Sequence, residues 1–293
     1  MQALFIINPI AGGANRVRRI TDSVRNILGA EEGIFEIRAA KARGDAGELA
    51  ADAVKRGYDA VIACGGDGTV NEVASRLVGT PAVLGVVPCG TGNGFAMALG
   101  IPRGFDAAME VIKNRCVREV DAGVICGRYF FATSGAGFDA HLSKVYNEHK
   151  LISRVRGVAP YVPLSMMEFY RYRPVETVIK IDNDYARLKP FILTFANTDR
   201  YASKFVIAPG AEPDDGLLDV CMVPQTGLKD ALVLAARLFK GSISRARGYR
   251  RVKAARVEIA CDTTTLLHAD GEPFEHTGNV TVEVLHKKLR VLV

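Results

Sequence analysis

Three glycines frame an acid and a hydroxyl in Gly65-Gly66-Asp67-Gly68-Thr69. The segment follows the apolar run Asp59 to Ala63 and precedes a helical pattern from Thr69 to Val78. Glycine there allows positive φ and lets the backbone approach a ligand closely. A helix starting near Thr69 presents amides that its own ladder cannot use, together with the positive end of its dipole, which suits phosphate. Asp67 would repel a phosphate directly. Its expected chemistry is to hold Mg²⁺, or a water on Mg²⁺, beside phosphate groups. A plain strand-to-helix turn needs neither three glycines nor an acid, so a phosphate loop is the expectation. It is not a Walker A loop, because G-x-x-x-x-G-K-[ST] does not occur in the chain.

Two more segments have the same character. Asn8-Pro9-Ile10-Ala11-Gly12-Gly13 closes the first apolar run, and Pro88-Cys89-Gly90-Thr91-Gly92-Asn93 closes the fourth. In a doubly wound sheet, turns after successive strands gather at the carboxyl edge, where such folds bind ligands. Three turns converging there predict a nucleotide site better than any one of them. Gly135-Ala136-Gly137-Phe138-Asp139-Ala140 also fits a dinucleotide fingerprint, but no acid ends a following strand about 20 residues on. It is read as a packing turn. Further on, Asp270 and Glu272 flank Gly271, and a carboxylate held by a turn could take a proton from an attacking hydroxyl. An ordinary acidic hairpin turn explains that segment equally well when it stands alone. Asp214-Asp215-Gly216-Leu217-Leu218-Asp219 offers oxygen ligands to a hard cation without EF-hand spacing. The five histidines make no metal-like cluster.

These segments need elements to position them. The first ~125 residues alternate strand and helix patterns, which argues for a parallel sheet with helices on both faces. After Asp121 the pattern becomes mostly strands, among them Thr177–Ile181, Phe191–Ala196, Leu217–Val223, Arg256–Ala260, Thr264–His268, Val280–Leu285 and Leu289–Val293. Helical patterns there are fewer: Ala140–Tyr146, Ser153–Arg171 and Leu228–Lys240. The expected fold is an α/β doubly wound domain over residues 1–123, then a mostly antiparallel β-sandwich domain over 124–293, with the active-site cleft between them. With 48% hydrophobic residues the chain can bury such cores. Six cysteines without C-x-x-C spacing read as reduced thiols rather than a zinc site or disulfide framework. A net charge of +6 suits anionic partners. The basic stretch Lys240 to Arg256 follows an apolar helix, which fits docking on a membrane surface as well as it fits a solvated face. No nucleic-acid motif accompanies it. No apolar run approaches the ~18 residues of a membrane span, and a signal peptide is not seen, so a cytoplasmic protein with peripheral membrane contact is expected. Association into homodimers is left open.

Together these residues resemble the diacylglycerol kinase catalytic-domain family, specifically its bacterial soluble lipid kinases. The resemblance runs in order through Asn8 to Gly12, Gly65 to Glu72, Gly90 to Ala96, Asp214 to Leu217 and Asp270 to Glu272. It implies ATP and Mg²⁺ as cofactors and transfer of a phosphoryl group to a lipid hydroxyl, with a place in phospholipid biosynthesis. The implied ATP-binding residues are Asn8, Pro9, Ile10, Ala11, Gly12, Gly65, Gly66, Asp67, Gly68, Thr69, Val70, Asn71, Glu72 and Thr91. Glu272 would be the proton acceptor, Asp270 its neighbour, and Asp67 the third catalytic acid. A structural Mg²⁺ would sit on the Asp215 side chain and the carbonyls of Glu212 and Leu217, and Asp121 would support the acidic network. Gly13, Ala40 and Gly94 depart from residues common in the family. The competing expectations are a kinase for a soluble alcohol, such as NAD or a sugar phosphate, and a non-catalytic nucleotide- or lipid-binding protein.

Overall fold

Fully apolar runs flanked by turn residues become buried parallel strands here, and alternating runs become the sheets of a sandwich. The computed structural model describes residues 1–9, 14–24, 34–148, 161–202, 204–225 and 227–293. They form two compact units, Met1–Ala122 with Lys287–Val293, and Gly123–His286. The sequence places the C-terminus in the second domain. The structure returns Lys287–Val293 to the first unit, because Val291 pairs in parallel with Leu84.

The first unit contains β1 (Gln2–Ile7), α1 (Ala14–Ser23), β2 (Ile34–Ala39), α2 (Asp45–Lys55), β3 (Ala60–Gly65), α3 (Asp67–Leu77), β4 (Val83–Pro88), α4 (Gly94–Ala98) and α5 (Phe105–Asn114), followed by most of β5 (Val117–Ile125). Its parallel strands lie in the order β2-β1-β3-β4. Every residue of β3 and β4 is buried, as strands covered on both faces require. Ala3, Phe5, Ile7, Ala60, Ile62 and Cys64 share one core with Ile20 of α1 and with Ala108, Met109 and Ile112 of α5. Val70, Val73, Ala74 and Leu77 bury the inner face of α3. The chain leaves β1 toward β2 on one side and returns as β3 on the other. The switch point of the sheet therefore lies between β1 and β3, and the turns after both strands meet at its carboxyl edge.

The second unit continues with β6 (Arg128–Phe130), β7 (Thr133–Gly135), α6 (Phe138–Glu148), α7 (Tyr161–Arg171), β8 (Thr177–Ile181), β9 (Asp184–Leu188), β10 (Pro190–Ala196), β11 (Arg200–Ala202), β12 (Phe205–Val206), β13 (Leu218–Pro224), α8 (Leu228–Phe239), β14 (Arg250–Ala254), β15 (Arg256–Ala260), β16 (Thr264–Ala269), β17 (Glu272–Thr277) and the first part of β18 (Val280–Leu292). One antiparallel layer is β9-β8-β15 with the start of β18. The other has the order β14-β13-β10-β7-β16-β17. Ile179, Val257, Val280 and Val282 from the first layer meet Leu193, Phe195, Val220 and Leu267 from the second in one core. Phe138, Phe191, Val223 and Leu234 build a second core where α6 and α8 cover the six-stranded sheet.

The structure bears on three expectations. The helix expected over Ser153–Arg171 is described only as Tyr161–Arg171, since its first part lies outside the described residues. The two expected C-terminal strands are one, β18. It continues through the polar stretch at Lys287, whose φ of 51° lets its N–H donate to Asp121 Oδ1 at 2.7 Å. The basic run beyond residue 250 is extended, and several of its charges have partners. It forms β14 and β15, where Arg251 pairs with Asp219, Lys253 with Asp215, and Arg256 with Glu258 and Glu283.

Candidate active site

Parallel pairing brings the ends of β1, β3 and β4 level: Ile7 lies opposite Cys64, and Gly65 opposite Pro88. The turns that follow are tied to one another. Asn8 N–H donates to the Cys64 carbonyl, and its Nδ2 reaches across the switch point to Thr69 Oγ1 at 3.0 Å. Cys89 N–H donates to the Gly65 carbonyl at 2.7 Å. The second and third loops touch backbone to backbone. A Cβ on Gly90 would lie 2.7 Å from the Gly66 Cα and 2.9 Å from Asn93 Oδ1. A Cβ on Gly65 would strike Thr69 at 2.5 Å. These glycines are required by close approach. Gly90→Ala should therefore cost about 1–3 kcal/mol of stability and weaken nucleotide binding, which a denaturation midpoint and an ATP titration would read.

Asp67 has a defined structural task. Its Oδ2 accepts the Asn93 N–H at 2.7 Å and its Oδ1 the Gly94 N–H at 2.8 Å. It thus caps the start of α4 from another helix, bringing a charge-assisted pair of bonds to amides that α4 cannot satisfy. Asn93 is buried in the left-handed conformation, with φ 52°, and its side chain bonds both the N–H and the carbonyl of Gly90. The start of α4 is thereby taken by an anion of the protein itself. The start of α3 differs. Its ladder begins with Val70 N–H on the Gly66 carbonyl, so the amides of Gly68 and Thr69 precede the first helical bond. Free amides at a helix start are the kind of donors a phosphate takes, and glycine lets the backbone lie close to them.

The remaining residues expected to bind nucleotide divide by what they contact. Val70 is buried in the core, and Thr69 is buried with its hydroxyl on Asn8. Glu72 Oε1 accepts the Gly44 N–H at 2.9 Å, holding the turn before α2, and Asn71 Oδ1 accepts the Ser75 hydroxyl. Thr91 is exposed, and its carbonyl and that of Gly92 accept bonds from Arg103, a residue that sequence reasoning missed. Pro9 follows Asn8 and is partly exposed. Ile10, Ala11, Gly12 and Gly13 lie outside the described residues. Ala40 is buried, with its N–H on the Ile7 carbonyl, and Gly94 N–H is on Asp67.

In the second unit, Asp270 and Gly271 are the two-residue turn between β16 and β17. Their φ values of 47° and 82°, with Ala269 opposite Glu272, give a turn of type I′. The Asp270 carboxylate accepts three backbone amides, Phe131 at 2.9 Å, Ala132 at 2.8 Å and Thr133 at 3.1 Å. Its own N–H donates back to the Thr133 carbonyl. Asp270 is thus a clamp, and Glu272 is the first residue that the clamped turn presents.

Behind the turn lies a buried polar cluster that motif reading did not reveal. His268 Nδ1 accepts the Gly271 N–H at 3.3 Å, so the ring proton is on Nε2, which faces Asp139 Oδ2 at 3.4 Å. The Thr194 hydroxyl donates to the same Asp139 oxygen at 2.7 Å and accepts from Tyr201. Burial, with the Asp139 charge beside it, pushes the Tyr201 phenol well above its ordinary value and keeps it a donor. A Cβ on Gly135 would lie 2.2 Å from Asp139 Oδ2, and one on Gly137 2.9 Å from the Phe191 carbonyl. The glycine pair of the fingerprint-like segment serves this packing.

The one side chain expected to hold a structural metal, Asp215, is engaged by groups of the protein. The Lys253 ammonium sits on Asp215 Oδ2, while Asp215 Oδ1 accepts the Leu217 N–H at 2.9 Å. The contributions expected from Glu212 and Leu217 are backbone carbonyls, so Asp215 is the one carboxylate in that set. A lysine ammonium thus stands beside the carboxylate expected to carry the metal.

Comparison with known proteins matches both parts of the chain. The family model described as the diacylglycerol kinase catalytic domain covers residues 2–125, and that of the YegS C-terminal NAD kinase beta sandwich-like domain covers residues 132–293. A diacylglycerol kinase of Bacillus subtilis (strain 168) is 29% identical over 278 residues, 92% of this chain and 89% of the relative. One from Mycobacterium tuberculosis (strain ATCC 25618 / H37Rv) is 28% identical over 274 residues, covering 91% and 87%. The crystal structure of a Bacillus anthracis str. Sterne diacylglycerol kinase has the same fold, with a TM-score of 0.72 at 20% identity over 99% of this chain and 96% of that one.

Proposed function

Because the chain belongs to the diacylglycerol kinase catalytic-domain family, we propose that it is a phosphotransferase moving the γ-phosphoryl group of Mg·ATP to the hydroxyl of a lipid alcohol. What supports the reading most is the family match over residues 2–125, the stretch that contains all three converging loops. ATP with its Mg²⁺ supplies the phosphoryl group and much of the charge neutralisation. The chain's own part is positioning. The amides of Gly68 and Thr69 receive phosphate oxygens, and Gly66 and Gly90 let the backbone come close. The acceptor oxygen forms a bond to phosphorus as the bond to ADP breaks, and the hydroxyl proton passes to the Glu272 carboxylate. Such an acceptor lies in a bilayer, and no described helix is long and apolar enough to cross a membrane.

Incubation with γ-labelled ATP, Mg²⁺ and a panel of acceptors tests this directly. The panel holds diacylglycerol, phosphatidylglycerol and a sphingoid base as lipid alcohols, with NAD and a sugar phosphate as soluble ones. The expected result is label in one lipid product, lost when Mg²⁺ is chelated. Label entering NAD or the sugar phosphate alone would replace the lipid reading with a soluble-alcohol kinase. ATP binding without label in any product would make the chain a non-catalytic binder.

A further inference from the structure

Helix α8 buries one side and leaves an apolar stripe on the other. Leu234 is buried against the second core of its unit, and Leu238 packs on the same core. On the opposite side Leu232, Val233 and Phe239 are each 50% exposed, with exposed Ala235 and Ala236 among them. Large apolar side chains gathered in this way on one helix face mark an interaction surface rather than ordinary scatter. The charges around the stripe are of one sign. Lys229, Val233, Ala236 and Lys240 follow one another at helical spacing, so a lysine stands at each end of the stripe. Lys204 holds its ammonium 5.4 Å from the Phe239 ring centroid, and Phe205 meets the same ring edge-on. Asp230 is the one acid of α8 and lies off the stripe. Arg245 and Arg247 follow the helix and are exposed. Unlike Arg251, Lys253 and Arg256, these residues and the two helix lysines make no ion pair among the described residues.

We propose that this face of α8 is the surface by which the chain docks on an anionic lipid bilayer, Leu232, Val233 and Phe239 entering the headgroup boundary while Lys204, Lys229 and Lys240 meet lipid phosphates. Long basic side chains flanking an apolar face suit that boundary, because their stems lie along the apolar surface and their ammonium groups stay with the headgroups. Charge complementarity favours a bilayer over a second copy of the chain, since two copies of this face would bring the same lysines together. The proposal supplies a route to the lipid acceptor and rests on the kinase reading for its purpose. Its test does not depend on that reading.

The test is vesicle co-sedimentation of the full chain without ATP or acceptor. One set of vesicles is phosphatidylcholine alone; the other has about one third phosphatidylglycerol. The expected result is binding to the second set, weakened by raising salt from about 0.1 to about 0.5 M as Debye screening requires. Leu232→Ser/Val233→Ser/Phe239→Ser should lower the bound fraction constant at least ~10-fold. Lys229→Glu/Lys240→Glu should lower it by a comparable factor at low salt only. Both variants should keep the wild-type circular dichroism spectrum, since the substituted side chains lie outside the core. Unchanged binding by the triple variant would overturn the proposal. So would a wild-type dimer, seen by sedimentation velocity, that the triple substitution converts to monomers while vesicle binding stays the same.

Discussion

Glu272→Gln should lower phosphoryl transfer by roughly 10²–10⁴-fold and leave the fold intact, whereas Asp270→Ala should unfold the turn that carries it. The two residues stand one glycine apart, and the sequence gives both a carboxylate in a D-G-E turn. Their surroundings separate them. Asp270 accepts the amides of Phe131, Ala132 and Thr133, all in buried residues. Removing that carboxylate strands three donors, each costing about 1–3 kcal/mol, which is a large share of a domain's stability. Glutamine at 272 keeps the size and polarity of the side chain but is not a base, so chemistry should suffer alone. The measurement is a pair of thermal melts and a pair of turnover numbers. Glu272→Gln with wild-type turnover would remove the base assignment. Asp270→Ala with a wild-type melt would remove the clamp.

Much of this arrangement could be read before the structure, for identifiable reasons. Strands β3 and β4 are buried on both faces, so Asp59 to Ala63 and Val83 to Val87 read as largely apolar runs. Parallel topology then forces their carboxyl ends to one edge, which is why three separate glycine segments could be expected to converge. Other features were hidden because they depend on partners far along the chain. A strand running through Leu285-His286-Lys287-Lys288 breaks the apolar pattern, and only the buried Asp121 explains it, by taking the Lys287 amide. The basic residues after 250 read as one charged run because the sequence does not show that Asp215 and Asp219 lie on the neighbouring strand and its preceding loop. Helix α5 was missed although Ala108, Met109 and Ile112 carry a helical stripe, since it is short and Gly104 at its start offers no side-chain cap. The cluster of Asp139, Thr194, Tyr201 and His268 had no motif to announce it. Its one signal was Gly135, whose missing side chain makes room for the Asp139 carboxylate.

Asp67→Ala should abolish ATP-dependent turnover and also destabilise the metal-free protein by about 2–4 kcal/mol, the cost of leaving the buried amides of Asn93 and Gly94 unpaired. The second half of that result decides between two roles. A carboxylate that serves only a metal contributes nothing to folding when the metal is chelated, so its loss would raise the Mg²⁺ requirement and leave the melt in EDTA unchanged. A carboxylate that caps α4 contributes with or without metal, so the melt in EDTA should fall. Asp67→Asn sharpens the comparison. It keeps one acceptor oxygen, but its amide nitrogen must face a backbone N–H, so it should retain part of the stability and little of the activity. The loss of activity follows from position. Asn93 fixes Gly90, and Gly90 rests on Gly66, so releasing the start of α4 loosens the backbone meant to receive phosphate. Asp67 therefore shapes the nucleotide loop from inside it, and a melt in EDTA equal to the wild type would refute that role.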